Sequence, residues 1–298
     1  VTPAGWLDAG GAAAADDDAA DVHAPGTGAA ASETVALPRL ADDIRRMHRP
    51  GERLIIGITG APGSGKSTLG AQLVEALGPS AERLDPGTGS GSGTAEHAGP
   101  GAGPGAGSDA VLVGMDGFHL ANRLLDEHGS RDRKGAPDTF DAAGYVALLQ
   151  RLRARDEPMV YAPAFDRILD ESIGSAIAIP QQTEIVITEG NYLLLDTPEW
   201  SPVAPLLDAC WFVDPGEGIR MRRLVERHMR YGRSAREAQE RARGSDERNA
   251  RLIEPCRARA SRVIRVAGVI DHVASETGAA ASAAEPSPNR AASDSLEA

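Results

Sequence analysis

Three groups of residues in this chain stand at spacings that could do chemistry: a lysine and serine behind a glycine-rich turn, acids after apolar runs, and arginines along one helix. The first group lies in GITGAPGSGKST, residues 57–68, where Gly60, Gly65, Lys66 and Ser67 fit G-x-x-x-x-G-K-[ST]. Gly60, Ala61, Pro62, Gly63, Ser64, Gly65, Lys66, Ser67 and Thr68 form the candidate phosphate cradle. Small residues there let successive backbone N–H groups close around phosphate at a helix N-terminus. Lys66 would reach the outer phosphates, and Ser67 would ligate Mg²⁺. A chance match in a glycine-rich turn is the alternative. The apolar run at 53–59 and the helical spacing of 69–77 supply the strand and helix that the motif demands.

The second group is acidic. Asp116 follows VLVGM, Glu189 follows IVIT and Asp214 follows CWFV, each a run short enough for a buried strand. Chemistry in open α/β sheets collects at the carboxyl ends of strands. One carboxylate is expected to hold Mg²⁺ directly or through water. A second could accept the proton of an attacking hydroxyl. The plainer readings are that Asp116 caps the following turn and that Glu189 is an ordinary strand-end acid. Asp214 reads as structural, because Pro215 and Gly216 follow it as a turn.

These groups need elements to position them. Leu37, Leu40, Ala41, Ile44 and Met47 predict an amphipathic helix ahead of the first strand. Strands are expected at 53–59, 111–115, 185–188, 210–213 and 263–266. Helices are expected after the cradle, at 142–154, at 217–231 and at 235–259 with a break near Gly244. Alternating strands and helices predict an α/β domain over 34–273: a five-stranded parallel sheet with helices on both faces. The acidic segment 1–33, the segment 274–298 and the glycine-rich insert 79–109 are expected to be disordered or flexible.

Charge narrows the partners. Residues 1–43 and 271–298 together carry −11 of the net −12, so the body is nearly neutral and has no basic block for nucleic acid. A free nucleotide is the expected ligand. No apolar run of membrane-spanning length and no basic–apolar leader appears, so a cytoplasmic protein without a membrane partner is expected. Cys210 and Cys256 lack C-x-x-C spacing and read as buried fillers, and the seven histidines show no zinc-binding pattern. Only Lys66 and Lys134 among 31 basic residues are lysines, which marks both as places where a compact ammonium is needed.

The stretches MDGFHLAN, RKGAPDTFD, VYAPAFDR and ITEGNYLL complete a pattern over residues 53–266 that resembles the phosphoribulokinase, uridine kinase and bacterial pantothenate kinase family. The resemblance implies the P-loop NTPase fold and Mg·ATP-dependent transfer of the γ-phosphate to a small-molecule hydroxyl. Asp116 matches the family's catalytic base, and Glu189 its second, metal-side acid. The helix GIRMRRLVERHMRYGR sets Arg220, Arg223, Arg227 and Arg230 along one side, with Met221, Leu224, Val225 and Met229 away from it. A solvated cationic face would give the same spacing. Family members place lid arginines here, and Arg223 and Arg227 match them best in register. His119, Lys134, Tyr161, Phe165, Asp166, Arg167 and Asn191 lie in or beside the matching motifs as candidate acceptor contacts. Each also has a plainer reading as a core aromatic, a turn cap or a solvated charge.

Uridine kinases carry Asp-x-Phe-Tyr where this chain has Asp116-Gly117-Phe118-His119, and pantothenate kinases carry Ser-His at Asp166-Arg167. The acceptor therefore stays open among nucleoside, pantothenate-like and sugar alcohols, and a homodimer is one arrangement such a kinase could take. The competing class is a P-loop ATPase or nucleotide-dependent switch without an acceptor. A guanine switch would need N-K-x-D, and Lys134, the only lysine after the cradle, is preceded by Arg133.

Overall fold

A computed structural model of the chain describes residues 32–78 and 110–267. The leading tail through residue 31, the glycine-rich insert and the trailing tail lie outside the described residues. Six strands form the main sheet: β1 (Glu33–Ala36), β2 (Leu54–Thr59), β3 (Ala110–Gly114), β6 (Ile185–Glu189), β7 (Ala209–Val213) and β8 (Arg262–Ala267). Their order is β1-β8-β7-β2-β6-β3, and every pairing is parallel. The sheet thus has one strand more than the five expected. β1 is that strand: structure begins at Glu33, which pairs with Ile264, although the unstructured segment was expected to run through residue 33. Four residues with only Val35 buried carry too little periodicity to be read as a strand.

β2 shows why the sheet needs two covers. All six of its residues are buried, and their side chains alternate between two cores. Leu54, Ile56 and Ile58 pack with Leu40 and Ile44 of α1 (Leu37–Met47) and with Leu69 and Leu73 of α2 (Lys66–Ala76). Ile55 faces the other way, into a core with Tyr145, Leu149 and Leu152 of α4 (Ala142–Ala154) and with Trp200. Both cysteines are free and buried. Among the described residues no helix is long and apolar enough to cross a membrane.

An antiparallel hairpin stands apart from the main sheet: β4 (Met159–Asp166) paired with β5 (Glu171–Pro180). Neither strand is expected from the pattern, because Pro163 and Gly174 interrupt runs that bury few residues. Short α3 (Asn122–Glu127) precedes α4. At the other end, α5 (Glu217–Arg230) leads to α6 (Ala235–Arg241), a π-helical turn at Ala242–Asp246, and α7 (Glu247–Ile253). The break expected near Gly244 is that wide turn. A capping box starts α6, with Ser234 and Glu237 each satisfying the other's backbone N–H.

Arg53 ties this frame together. Its guanidinium is buried and donates to Thr183 O at 2.8 Å and to Leu152 O, Pro180 O and Gln181 O at 3.0 Å each. One side chain therefore joins the start of β2, the end of α4 and the β5–β6 connection. Replacing Arg53 with methionine removes the donor from Thr183 O and Leu152 O, while Pro180 O keeps Thr183 N and Gln181 O keeps Arg155 Nε, and is expected to lower unfolding free energy by about 3 kcal/mol. Urea denaturation checks this, and Arg53→Lys should recover only part of the loss, since a single ammonium cannot span the same carbonyls.

Candidate active site

The glycine-rich loop joins β2 to α2, and its backbone dictates its residues. Gly60 has φ 145°, and a Cβ there would sit 2.7 Å from Val213 O of β7. Gly63 has φ 82°, and a Cβ would sit 2.6 Å from Leu224 Cγ on α5. Only glycine permits both the positive φ and the close approach of neighbouring elements. Gly65, in the left-handed region, then starts α2 at Lys66.

β6 and β3 follow β2 across the sheet, so what ends each strand lands beside this loop. Glu189, the last residue of β6, accepts from Ser67 Oγ at 3.1 Å. Asp116 lies in the single helical turn after β3 and accepts from Arg167 Nη2 at 3.1 Å. Lys66, Ser67, Asp116, Glu189 and Pro62 line one cleft of about 680 Å³, together with His119, Lys134, Phe165, Arg167, Asn191 and Arg227. Most candidate residues are thus brought together. Asp214 lies elsewhere: it accepts from Gly216 N at 2.9 Å and from Arg257 Nη1 at 2.9 Å, as a turn acid.

Of the cradle only Pro62, Lys66 and Ser67 line the cleft, and three of the catalytic and acceptor candidates fall outside its lining. Tyr161 is 54% exposed on β4. Asp166 accepts from Ile168 N and Leu169 N at 2.8 and 2.9 Å, so its carboxylate caps the hairpin turn. Arg223 donates to Ser64 O at 3.3 Å and lines a smaller cavity of about 140 Å³ behind the loop, with Gly65, Val213, Pro215 and Arg265. The helix face also differs from expectation. Arg220 turns inward to Glu247 at 2.5 Å and Leu224 packs beside Gly63, whereas Met229 is exposed. α5 buries the side that meets the loop, and arginine spacing alone does not reveal which side that is.

The cleft also gathers residues that were assigned no site role from sequence: Arg131, Asp170, His228, Arg233, Arg241, Asp246 and Asn249. His228 Nε2 and Asp246 Oδ2 are 2.7 Å apart, which links α5 to the π-helical turn. The one available signal was the capping box after the arginine-rich helix, which fixes where α6 turns back.

Burial sets the electrostatics. It lowers Lys66 to about 8, against the pull of the carboxylates of Glu189 and Asp116. It raises Glu189 to about 7, with the negative charge of Asp116 adding to the rise. For Asp116 burial also works upward, but His119, Arg167, Lys66 and Arg227 together outweigh it and hold the carboxyl below its usual range. His119 is lowered by burial despite Asp116, whose carbonyl lies 2.9 Å from Nδ1. Its ring packs between Phe140 and Phe165, with centroids at 4.0 and 4.8 Å. Lys134 Nζ is held by Asn122 Oδ1 at 2.6 Å and Asp170 Oδ2 at 3.2 Å, 5.0 Å from the Phe165 ring centre.

A family model described as phosphoribulokinase / uridine kinase family matches residues 55–272. A Schizosaccharomyces pombe protein provisionally named a uridine kinase is 31% identical over 210 residues, covering 68% of this chain and 79% of its own. The crystal structure of a Silicibacter protein, provisionally described as a fructose transport system kinase, is 35% identical with a TM-score of 0.62, covering 77% of this chain and 98% of that one. YFH7 from Saccharomyces cerevisiae, described provisionally as a P-loop kinase with a circular permutation, shares the fold at TM-score 0.59 and 21% identity, covering 78% and 98%.

The raised Glu189 has a consequence for stability. A folded-state pKa of about 7 against 4.5 means that the folded chain holds a proton the unfolded chain has released, so this stabilisation is present below pH 4.5 and lost as pH rises through 7. Glu189→Gln removes that dependence. The ligand-free variant should gain about 2 to 3 kcal/mol on wild type between pH 5 and pH 8. Urea midpoints of both proteins at the two pH values measure it; an unchanged difference would mean an ordinary carboxyl.

Proposed function

The chain belongs to the phosphoribulokinase / uridine kinase family, and on that premise we propose that it transfers the γ-phosphate of ATP to a hydroxyl of a small molecule, with Asp116 taking the hydroxyl proton. What carries the reading is the placement of Asp116 and of Lys66, Ser67 and Glu189 on one cleft, at the carboxyl ends of three neighbouring strands. The family is one of P-loop kinases, for which ATP is the co-substrate.

Each group has a task that its surroundings suit. Backbone N–H groups of residues 60–68 would hold the phosphates at the start of α2, with Lys66 on the outer ones. Ser67 Oγ and Glu189 Oε1, hard oxygens 3.1 Å apart, fit Mg²⁺, which takes few protein ligands and keeps several waters. Bound there, Mg²⁺ would neutralise charge on the triphosphate. Asp116, kept ionised by the cations around it, can receive a proton at neutral pH. Arg167 donates to Asp116 and orients its carboxylate for an incoming hydroxyl. Arg227 in the cleft would steady the transferring phosphoryl group, while Arg223 stays with the loop backbone. α5 and α6 form the arginine-rich lid that shields the reaction from water.

His119, Lys134, Phe165, Arg167 and Asn191 form the acceptor side, and Tyr161 and Asp166 serve the hairpin instead. The tilted aromatic pair His119 and Phe165 offers a ring-lined wall, and Lys134 a fixed charge beside it.

Asp116→Asn should lower the transfer rate by about 10²- to 10⁴-fold while binding of an Mg·ATP analogue stays within a few-fold of wild type. The assay is labelled-phosphate transfer over nucleosides, pantothenate and common sugars. Transfer at wild-type rate in the variant would remove Asp116 from the reaction. Fast ATP hydrolysis that no alcohol alters would favour a nucleotide switch in place of a kinase.

A further inference from the structure

One wall of the cleft carries two arginines, Arg233 and Arg241, that no carboxylate pairs with among the described residues. It is built from segment 131–135 and from α6 with the turn before it. Arg131 and Lys134 share a single carboxylate, Asp170, at 3.5 and 3.2 Å. Arg131 has a second, looser partner in Asp126 at 3.6 Å. Among the described residues Arg241 donates only to backbone carbonyls, Asp132 O at 2.9 Å and Lys134 O at 3.4 Å. Those bonds fix its direction and engage two of the five N–H donors of a guanidinium.

Arg233 stands on the same wall. Among the described residues neither Arg233 nor Arg241 has a carboxylate oxygen within 4.0 Å. Glu237, the acid whose field reaches Arg233, is turned away into the capping box, where it accepts from Ser234 N and Oγ at 2.9 and 2.7 Å. Burial makes the charge on Arg241 costly, and the neighbouring Arg233 adds to that cost, with Asp246 and Asp132 opposing. Two guanidinium groups that repel each other beside a cavity are stabilised by an anion entering it.

An uncharged alcohol would leave that repulsion in place. An oxyanion would relieve it and use the free N–H donors of both forks, the geometry at which arginine excels. We propose that the acceptor is an alcohol that also bears an oxyanion, phosphate or carboxylate, and that Arg233 and Arg241 bind this group. Discrimination then comes from charge at this wall, whereas His119 and Phe165 see only the neutral body of the molecule. The inference rests on the kinase reading of the same cleft.

The test uses the full chain with the phosphate loop filled by Mg²⁺ and a non-hydrolysable ATP analogue. Calorimetric titration with inorganic phosphate and with acetate compares wild type with Arg233→Gln/Arg241→Gln. Wild type should bind at least one of the two, which tells phosphate from carboxylate, and the variant should bind it about tenfold or more weakly. Unchanged affinity for the ATP analogue verifies that the variant folds, and Arg233→Lys/Arg241→Lys should restore part of the binding.

A second arm measures phosphate transfer to matched neutral, carboxylated and phosphorylated alcohols. Wild type should favour a charged member at least tenfold in kcat/KM, and the glutamine variant should lose this through KM. Equal oxyanion binding by wild type and variant overturns the inference, as does a wild-type preference for the neutral alcohol. Transfer to no alcohol, with the difference in oxyanion binding intact, overturns the kinase reading and leaves the anion site standing.

Discussion

A lysine ammonium withdrawn from water has to face carboxylates, and in this chain that need is met by acids at the ends of two strands other than the one that leads into its loop. Burial destabilises the charge on Lys66, and the fields of Glu189 and Asp116 oppose that effect. The three residues come from positions 66, 116 and 189, far apart in the chain, and meet because β2, β6 and β3 are neighbours and parallel. Parallel pairing puts all three carboxyl ends on one edge. The same pairing forces long crossovers, so each strand must be buried on both faces, and α1, α2 and α4 supply the cover. A sheet that positions the glycine-rich loop beside two acids is therefore also the sheet that buries most of the apolar side chains.

Arginine serves a different purpose in most of the frame. Arg53, Arg153 and Arg155 donate to backbone carbonyls where strands and helices end, and Arg257 holds the Asp214 turn. A planar fork suits that work, since one side chain can join several chain segments. The two lysines are used otherwise. Both line the cleft, as their rarity in an arginine-rich chain suggested, Lys66 donating to Ala61 O at 3.2 Å and Lys134 to Asn122 Oδ1 at 2.6 Å.

The half of the cleft proposed to hold phosphate, the phosphate half, was legible because its geometry is local. Cradle, strand and helix are consecutive in sequence, and Asp116 and Glu189 directly end buried runs whose composition announces them. The half proposed for the acceptor, the acceptor half, was not. β4 and β5 bury few residues and are broken by Pro163 and Gly174, so neither shows a clean period of two. Tyr161 and Asp166 sit in a family-like motif, yet alternation on a two-stranded hairpin turns Tyr161 outward, and the Asp166 carboxylate is engaged by the turn it precedes. Arg233 and Arg241 follow a helix whose spacing could be read, but where α6 turns back depends on the capping box and the π-helical turn.

That division has a physical consequence. The phosphate half rests on the two hydrophobic cores. The acceptor half is assembled from short elements joined by polar contacts: Lys134 to Asp170, Asn122 N to Glu171, Arg241 to the carbonyls of Asp132 and Lys134, and Asn249 to Gly135 O. Polar contacts near the surface each contribute about 1 kcal/mol, so such a wall opens at far lower cost than the sheet unfolds. Residues there can change without loss of the core, while those around Lys66 cannot. A kinase framework built this way can keep one nucleotide and exchange acceptors, because the side chains we propose to choose the acceptor contribute little to holding the chain together.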